Sequence, residues 1–331
     1  MTQVDLSAPP SPGHEQPAER AGRMCPVDYR YPASVFDRPA ELTADTLYVA
    51  GGLYGNLAAL DDIERLAAQE NALVVFNGDF HWFDAEPDWF DEIARRVARH
   101  HAIRGNVETE LARRSDVGAG CGCAYPDSVD QDIVRRSNEI LIDLRGTAAE
   151  LAGGAANPLA ALPMHLVADV GGLRVGIVHG DATALAGWSF AHDALDRADT
   201  PTRLEAIRRA SHIDVFASTH TCLAALRDFQ LAAGHTTVIN NGAAGMPNFA
   251  GTRTGLVTRI GRRPAPHVTL YGIERDGVYI DAVPLAYDHG GFLRRFLARW
   301  PAGSAAHVSY FGRIVSGPDH QPTQAMPPRP G

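Results

Sequence analysis

Two hydrophobic periods alternate along the first part of the chain. The runs TLYVAGG (46–52), ALVVFNGD (72–79) and HAIRGN (101–106) are short, apolar and closed by glycine or a small polar pair. Apolar runs of that length, bounded by turn residues, predict buried strands. Between them NLAALDDIERLAAQ (56–69) and DWFDEIARRVARH (88–100) repeat their apolar positions at helical spacing, with Asp88 near the start of the second. The order βαβαβ predicts a parallel sheet whose faces are covered by helices.

The second half follows another rule. MHLVADVGGLRVGIVHGD (164–181) predicts a hairpin with Gly171-Gly172 at its turn, and residues 202–210 predict a helix. IDVFAST (213–219) and TTVINNG (236–242) predict strands. TGLVTRI and HVTLYGIERDGVYIDAVPL predict an antiparallel meander that turns at Asp276-Gly277. The sum is an α/β sandwich of mixed sheets flanked by helices.

The ends differ from this body. Residues 1–40 are rich in proline and polar residues without a period, which predicts a disordered or extended arm; Tyr29, Tyr31 and Phe36 give its second half something to bury. Residues 301–331, ending in GPDHQPTQAMPPRPG, read as a proline-rich tail. About 260 residues remain, one domain over 41–300. No apolar run reaches the roughly 20 residues of a membrane helix, and the first residues lack the apolar segment of a secretory leader, so the expected compartment is the cytoplasm.

Composition narrows the chemistry. Of 331 residues 45% are hydrophobic and 21% charged, an ordinary globular balance. The formal net charge is −9, so nucleic acid is not the expected partner. All 30 basic residues are arginine. Schiff-base lysines and a phosphate-loop lysine are therefore excluded, and any phosphate must be held by arginine, backbone N–H groups or metal. Four cysteines (Cys25, Cys121, Cys123 and Cys222) do not make a disulfide framework.

Several strands end in a residue that can ligate a metal: Gly78-Asp79, Gly105-Asn106, Val178-His179 and Thr219-His220. Ligands of open α/β sheets gather at the carboxyl ends of strands, and Asp, Asn and His suit Mn, Fe, Zn or Mg. With GLYGN (52–56), GD (78–79), GNVE (105–108), VHGD (178–181) and STHT (218–221) in this order, followed by NNGAAGMP (240–247), the chain resembles the calcineurin-like metallophosphoesterases over roughly residues 46–250. The resemblance implies a four-layer α/β/β/α sandwich and hydrolysis of a phosphomonoester or phosphodiester, a small-molecule substrate, with divalent metal.

The departures from the family pattern fall in the site itself. Its two metals share a bridging aspartate, here Asp79, and the resemblance keeps Asn106, His179 and His220 as ligands. The first aspartate falls on Gly52, the first histidine on Tyr54, the first histidine of the last block on Ser218 and the assisting histidine on Val107. One metal thus keeps Asp79, Asn106 and His179, with His220 as a further ligand or phosphate contact, and three protein ligands plus water make a competent catalytic site. One metal is expected rather than two.

Other residues could contribute. His81, two beyond Asp79, is the first candidate for the general acid or a replacement ligand, and otherwise a loop histidine packed on its neighbours. Arg104, beside Gly105-Asn106, either binds phosphate or forms a salt bridge at the sheet edge. Tyr54 either meets a phosphate oxygen or packs in the space of the family's histidine. Cys121-Gly-Cys123 has unconvincing spacing for a metal pair. The aromatic run Phe80, His81, Trp82, Phe83, with Trp89 and Phe90, reads as core or as a pocket wall. Arg259, Arg262 and Arg263 read as solvent-facing. The rival function is a catalytically silent protein that uses the same fold as a binding or regulatory module.

Overall fold

In a computed structural model the described residues are 20–115, 117–152 and 157–327; the first half of the expected N-terminal arm lies outside them. The strands are β1 (Leu42–Ala44), β2 (Thr46–Ala50), β3 (Leu73–Asn77), β4 (His101–Ile103), β5 (His165–Val170), β6 (Leu173–Val178), β7 (Val215–Ser218), β8 (Ala225–Leu231), β9 (Gly234–Asn240), β10 (Gly255–Gly261), β11 (Tyr271–Arg275) and β12 (Val278–Leu285). The helices are α1 (Leu57–Glu70), α2 (Pro87–Val97), α3 (Asn106–Ala112), α4 (Gln131–Ala152), α5 (His192–Leu195), α6 (Thr200–Ser211), α7 (His289–Arg299), α8 (Ala305–Ser316) and α9 (Pro322–Ala325).

Two six-stranded sheets form, ordered β1-β5-β6-β7-β9-β8 and β11-β12-β10-β2-β3-β4. The predicted βαβαβ unit is there: β2, β3 and β4 pair in parallel. The late strands do not form a simple meander, because β12 inserts between β11 and β10.

Strand alternation builds the layers. Leu47 and Val49 face inward with Val75, Val175, Ile177, Val215 and Ile260, a dry seam between the sheets. Tyr48 and Ala50 point the other way, where α1, α2, α4, α7 and α8 cover the sheet. On the far side Phe216 and Val238 pack with Leu204 and Ile207 of α6 and with Tyr31 and Phe36 of the arm. The result is the expected α/β/β/α sandwich. Among the described residues no helix is long and apolar enough to cross a membrane.

Three expectations need correction. Residues 301–331 are not a featureless tail: α8 packs on α4, and Ala306 and Ile314 are fully buried. Its apolar positions recur at helical spacing, while the prolines that suggested a tail lie past its end. Arg259 does not face solvent; it is buried, with Nη2 2.6 Å from Glu70 Oε1 and Nη1 3.1 Å from Asp281 Oδ2. Two carboxylates make that burial tolerable. The 22-residue α4 was not anticipated, although Val134, Ser137, Ile140, Leu141, Leu144 and Ala148 mark one buried face.

Candidate metal centre

The carboxyl ends of β3 and β4 in one sheet meet those of β6 and β7 in the other; His179 follows its strand directly, Asp79 and His220 lie in the short loops just past theirs, and Asn106 opens α3 just past β4. One ligand atom each from Asp79, His179 and His220 falls within 4.8 Å of the other two. His179 Nε2 is 3.4 Å from Asp79 Oδ1, 3.0 Å from Asn106 Oδ1 and 3.1 Å from His220 Nδ1. The four side chains that the sequence singled out therefore converge.

Glycines permit the approach. A Cβ on Gly105 would stand 2.4 Å from Asp79 Oδ1, and one on Gly78 2.5 Å from His179 Nδ1. Asp79 and His220 are in the left-handed region, at φ 53° and 59°. Such strain in a non-glycine residue persists only where surrounding bonds hold it. Glu108 does this for Asp79: its buried carboxyl group accepts N–H bonds from Asp79 (2.8 Å), Phe80 (3.0 Å) and Gly105 (2.8 Å). The same group caps the first turn of α3, so one side chain links the strand-end loop to the helix that carries Asn106. Burial and the nearby Asp79 charge push the Glu108 pKa up.

Proton bookkeeping shows what the cluster can hold. His179 Nδ1 lies 2.9 Å from the Asn77 carbonyl and must donate to it. His220 Nε2 lies 3.1 Å from the Cys123 carbonyl and must donate likewise. Each neutral ring then turns a bare lone pair inward, toward the carboxylate of Asp79 and the amide oxygen of Asn106, whose Nδ2 is engaged by Cys121 O at 2.9 Å. Four acceptor atoms face one another, and among the described residues the one donor to them from outside these rings is Val107 N, which reaches Asp79 Oδ1 at 3.3 Å and leaves the three other atoms unserved, so a proton or a cation is favoured there. Burial opposes charge on His179, but the Asp79 carboxylate outweighs it and lifts the pKa above the ordinary value. Burial, joined by the charge on His179 and opposed by Asp79, pushes His220 down to about 3. Burial works against ionised Asp79 too, and the two imidazoles, His179 foremost, hold its pKa below the carboxylate range. Two oxygens and two imidazole nitrogens with their outer N–H groups fixed suit a divalent cation.

The loop with Cys121 and Cys123 does descend on the site. It contributes backbone carbonyls: Cys121 O orients Asn106 and Cys123 O orients His220. Burial raises the Cys123 thiol pKa, which disfavours a thiolate.

Where the resemblance puts the family's first aspartate and first histidine, the chain has Gly52 and Tyr54. Tyr54, buried at φ 54°, donates its hydroxyl to Cys222 Sγ at 2.9 Å, while the thiol points at His220 O at 3.3 Å. Its ring lies over Gly52. Ser218 Oγ donates to Gly180 O at 2.7 Å and takes no part in the cluster.

A cavity of about 170 Å³ opens above the cluster, lined by Asp79, Asn106 and His220 and walled by Val107, Trp82, Tyr125, Trp188 and Tyr310. Arg313 of α8 is its cation. Arg313 Nη2 donates to Cys222 O at 2.6 Å and Nε to Pro247 O at 3.2 Å. Sequence reasoning missed it, because it lies in the supposed tail.

Two candidates are not brought to this cavity. Arg104 turns outward, where Nη1 donates to Ala160 O at 3.3 Å. His81 is fully buried; Nδ1 lies 2.6 Å from Asp84 Oδ2 and the ring stacks on Phe90 at 3.7 Å. Strand-end loops reverse direction within two residues, so Asp79 and His81 face opposite ways. Of the aromatic run, Trp82 alone lines the cavity and the others belong to the core.

Comparison with known proteins agrees with this geometry. The chain is similar to a metallophosphoesterase from Sphaerobacter thermophilus, at 14% identity and a TM-score of 0.51, over 82% of this chain and 100% of that one. It is also similar to a hypothetical protein from Pyrococcus horikoshii OT3, at 18% identity and a TM-score of 0.53, over 84% of this chain and 100% of that one. At these identities the likeness is one of fold. No curated protein matches the chain. The sequence model described as calcineurin-like phosphoesterase matches residues 42–245, the segment that carries all four convergent side chains, and the chain belongs to that family.

Proposed function

We propose that the protein hydrolyses a small-molecule phosphoester with a single divalent cation held by Asp79, Asn106, His179 and His220. The observation that supports this is the ring of four facing acceptor atoms at the floor of a cavity. A divalent cation bound there supplies Lewis-acid polarisation of a phosphoryl oxygen and lowers the pKa of water.

The chain's own groups do the rest. The Asn77 and Cys123 carbonyls fix the imidazole tautomers, so both lone pairs are presented without reorganisation. Arg313 brings positive charge to the cavity for an anionic phosphoryl group. Tyr54 keeps its proton, since burial raises the phenol well above its ordinary pKa, and its neutral hydroxyl is held by Cys222 Sγ at the edge of the cavity. The aromatic walls exclude water from the reacting group.

Metal content by mass spectrometry, with turnover of generic phosphomonoesters and phosphodiesters in Mn²⁺, tests the reading. Wild-type protein should bind one equivalent and turn over at least one ester class, and Asp79→Asn should lose both properties. Wild-type protein that binds no cation and hydrolyses neither class would sink the proposal. The apolar Val107 at the place of the family's assisting histidine favours a second reading, a binding module without turnover. In that case Asp79→Asn leaves partner binding intact.

A further inference from the structure

Helix α8 lies beyond the segment matched by the family, yet it sends Tyr310 and Arg313 into the cavity. Trp82, Tyr125 and Trp188 complete the enclosure. These rings are held in place. Trp188 Nε1 donates to Cys123 O at 3.0 Å, Tyr125 Oη meets Ser137 Oγ at 3.1 Å, and Tyr310 stands edge-on to Phe83 at 5.1 Å and 72°. Trp82 is only 3% exposed, and its indole N–H has no acceptor among the described residues. A buried donor without a partner is costly, and a ligand that carries an acceptor would remove the cost.

The division of labour is spatial. Charge is confined to Asp79 on the floor and Arg313 on α8, while flat apolar surface makes the walls. Aromatic side chains offer large contact area and favour stacked or edge-on partners. A chain that needed only to hold phosphate would have no use for such walls.

We propose that the cavity admits a phosphate group attached to a single planar aromatic ring, with Tyr310 of α8 as a residue that determines this specificity. The inference rests on the phosphoesterase reading and names its substrate class.

The test compares benzyl phosphate with ethyl phosphate, whose leaving alcohols are of similar basicity, on full-length Mn²⁺-loaded protein. The non-hydrolysable benzylphosphonate and ethylphosphonate are compared by calorimetry. Wild-type kcat/KM should favour benzyl by at least about tenfold, with affinity for the phosphonates in the same order. Tyr310→Ala should bring both ratios to within about twofold, and Tyr310→Phe, which keeps the ring, should retain them. Equal treatment of benzyl and ethyl by the wild type, or a preference unchanged in Tyr310→Ala, overturns the inference. If neither ester turns over while benzylphosphonate binds preferentially, hydrolysis of phosphomonoesters is excluded and the aromatic subsite stands.

Discussion

A Cβ on Gly52 would stand 2.9 Å from Cε2 and 3.0 Å from Oη of Tyr54. Both positions depart from the family pattern, and the contact makes them one change. With tyrosine at 54, position 52 can carry no side chain; with glycine at 52, the aromatic ring has room to lie where the first carboxylate would begin.

Gly52→Asp alone should therefore destabilise the protein by about 2 kcal/mol, from overpacking and from a side chain at φ 62°. Tyr54→His in the same molecule should recover the overpacking part of that loss, and bound metal should rise from one equivalent toward two. Thermal unfolding and metal analysis of the single and double variants read the two effects separately.

Glu108→Gln tests the support of Asp79. An amide keeps one acceptor oxygen but turns an N–H₂ toward backbone N–H donors now accepted by the carboxyl group. The expected cost is about 2–3 kcal/mol in unfolding by denaturant. Metal affinity should fall as well, because Asp79 loses the bonds that hold its strained turn. Unchanged affinity would show that Asp79 keeps its place without Glu108.

Arg313→Leu should raise KM for a phosphomonoester, and weaken inhibition by inorganic phosphate, by about tenfold to a hundredfold. Arg104→Leu should leave both within about twofold, since its side chain does not line the cavity. A reversed order of effects would show that phosphate is held on the other side of the site.

His165 sets a pH dependence of stability. Burial, reinforced by Arg38, pushes its pKa down to about 4 from an ordinary 6.5. The unfolded chain therefore binds a proton that the folded one refuses. The resulting stability is fully present above about pH 6.5, falls as pH drops from there and is gone near pH 4. Part of the ring is solvent-screened, so the span is about 2 kcal/mol rather than the full value of the shift. Denaturant unfolding between pH 4 and 7 should show it, and His165→Gln should flatten the curve.

The strand ends are legible in the sequence. Gly78-Asp79, Gly105-Asn106, His179 and His220 each close an apolar run, and a parallel sheet delivers such residues to one edge. The same logic failed for His81 and Arg104, which lie next to true site residues in sequence and point away from them in space. Helix α4 escaped the sequence reading, although its apolar positions recur at helical spacing. Arg313 was not legible, because nothing local distinguishes an arginine in a surface helix from one over a cavity.

Period and punctuation in the amino-acid order determined the βαβαβ unit of the first half and that four ligating side chains stand near strand termini; these are consequences of backbone geometry over a few residues. Only the tertiary structure decided that Tyr54 lies over Gly52 and bonds Cys222, that the carbonyls of Cys121 and Cys123 orient Asn106 and His220, and that α8 roofs the cavity with Tyr310 and Arg313. Those outcomes depend on contacts between segments scores of residues apart, whose direction is set by the packing of the two sheets and their helices and by no local preference.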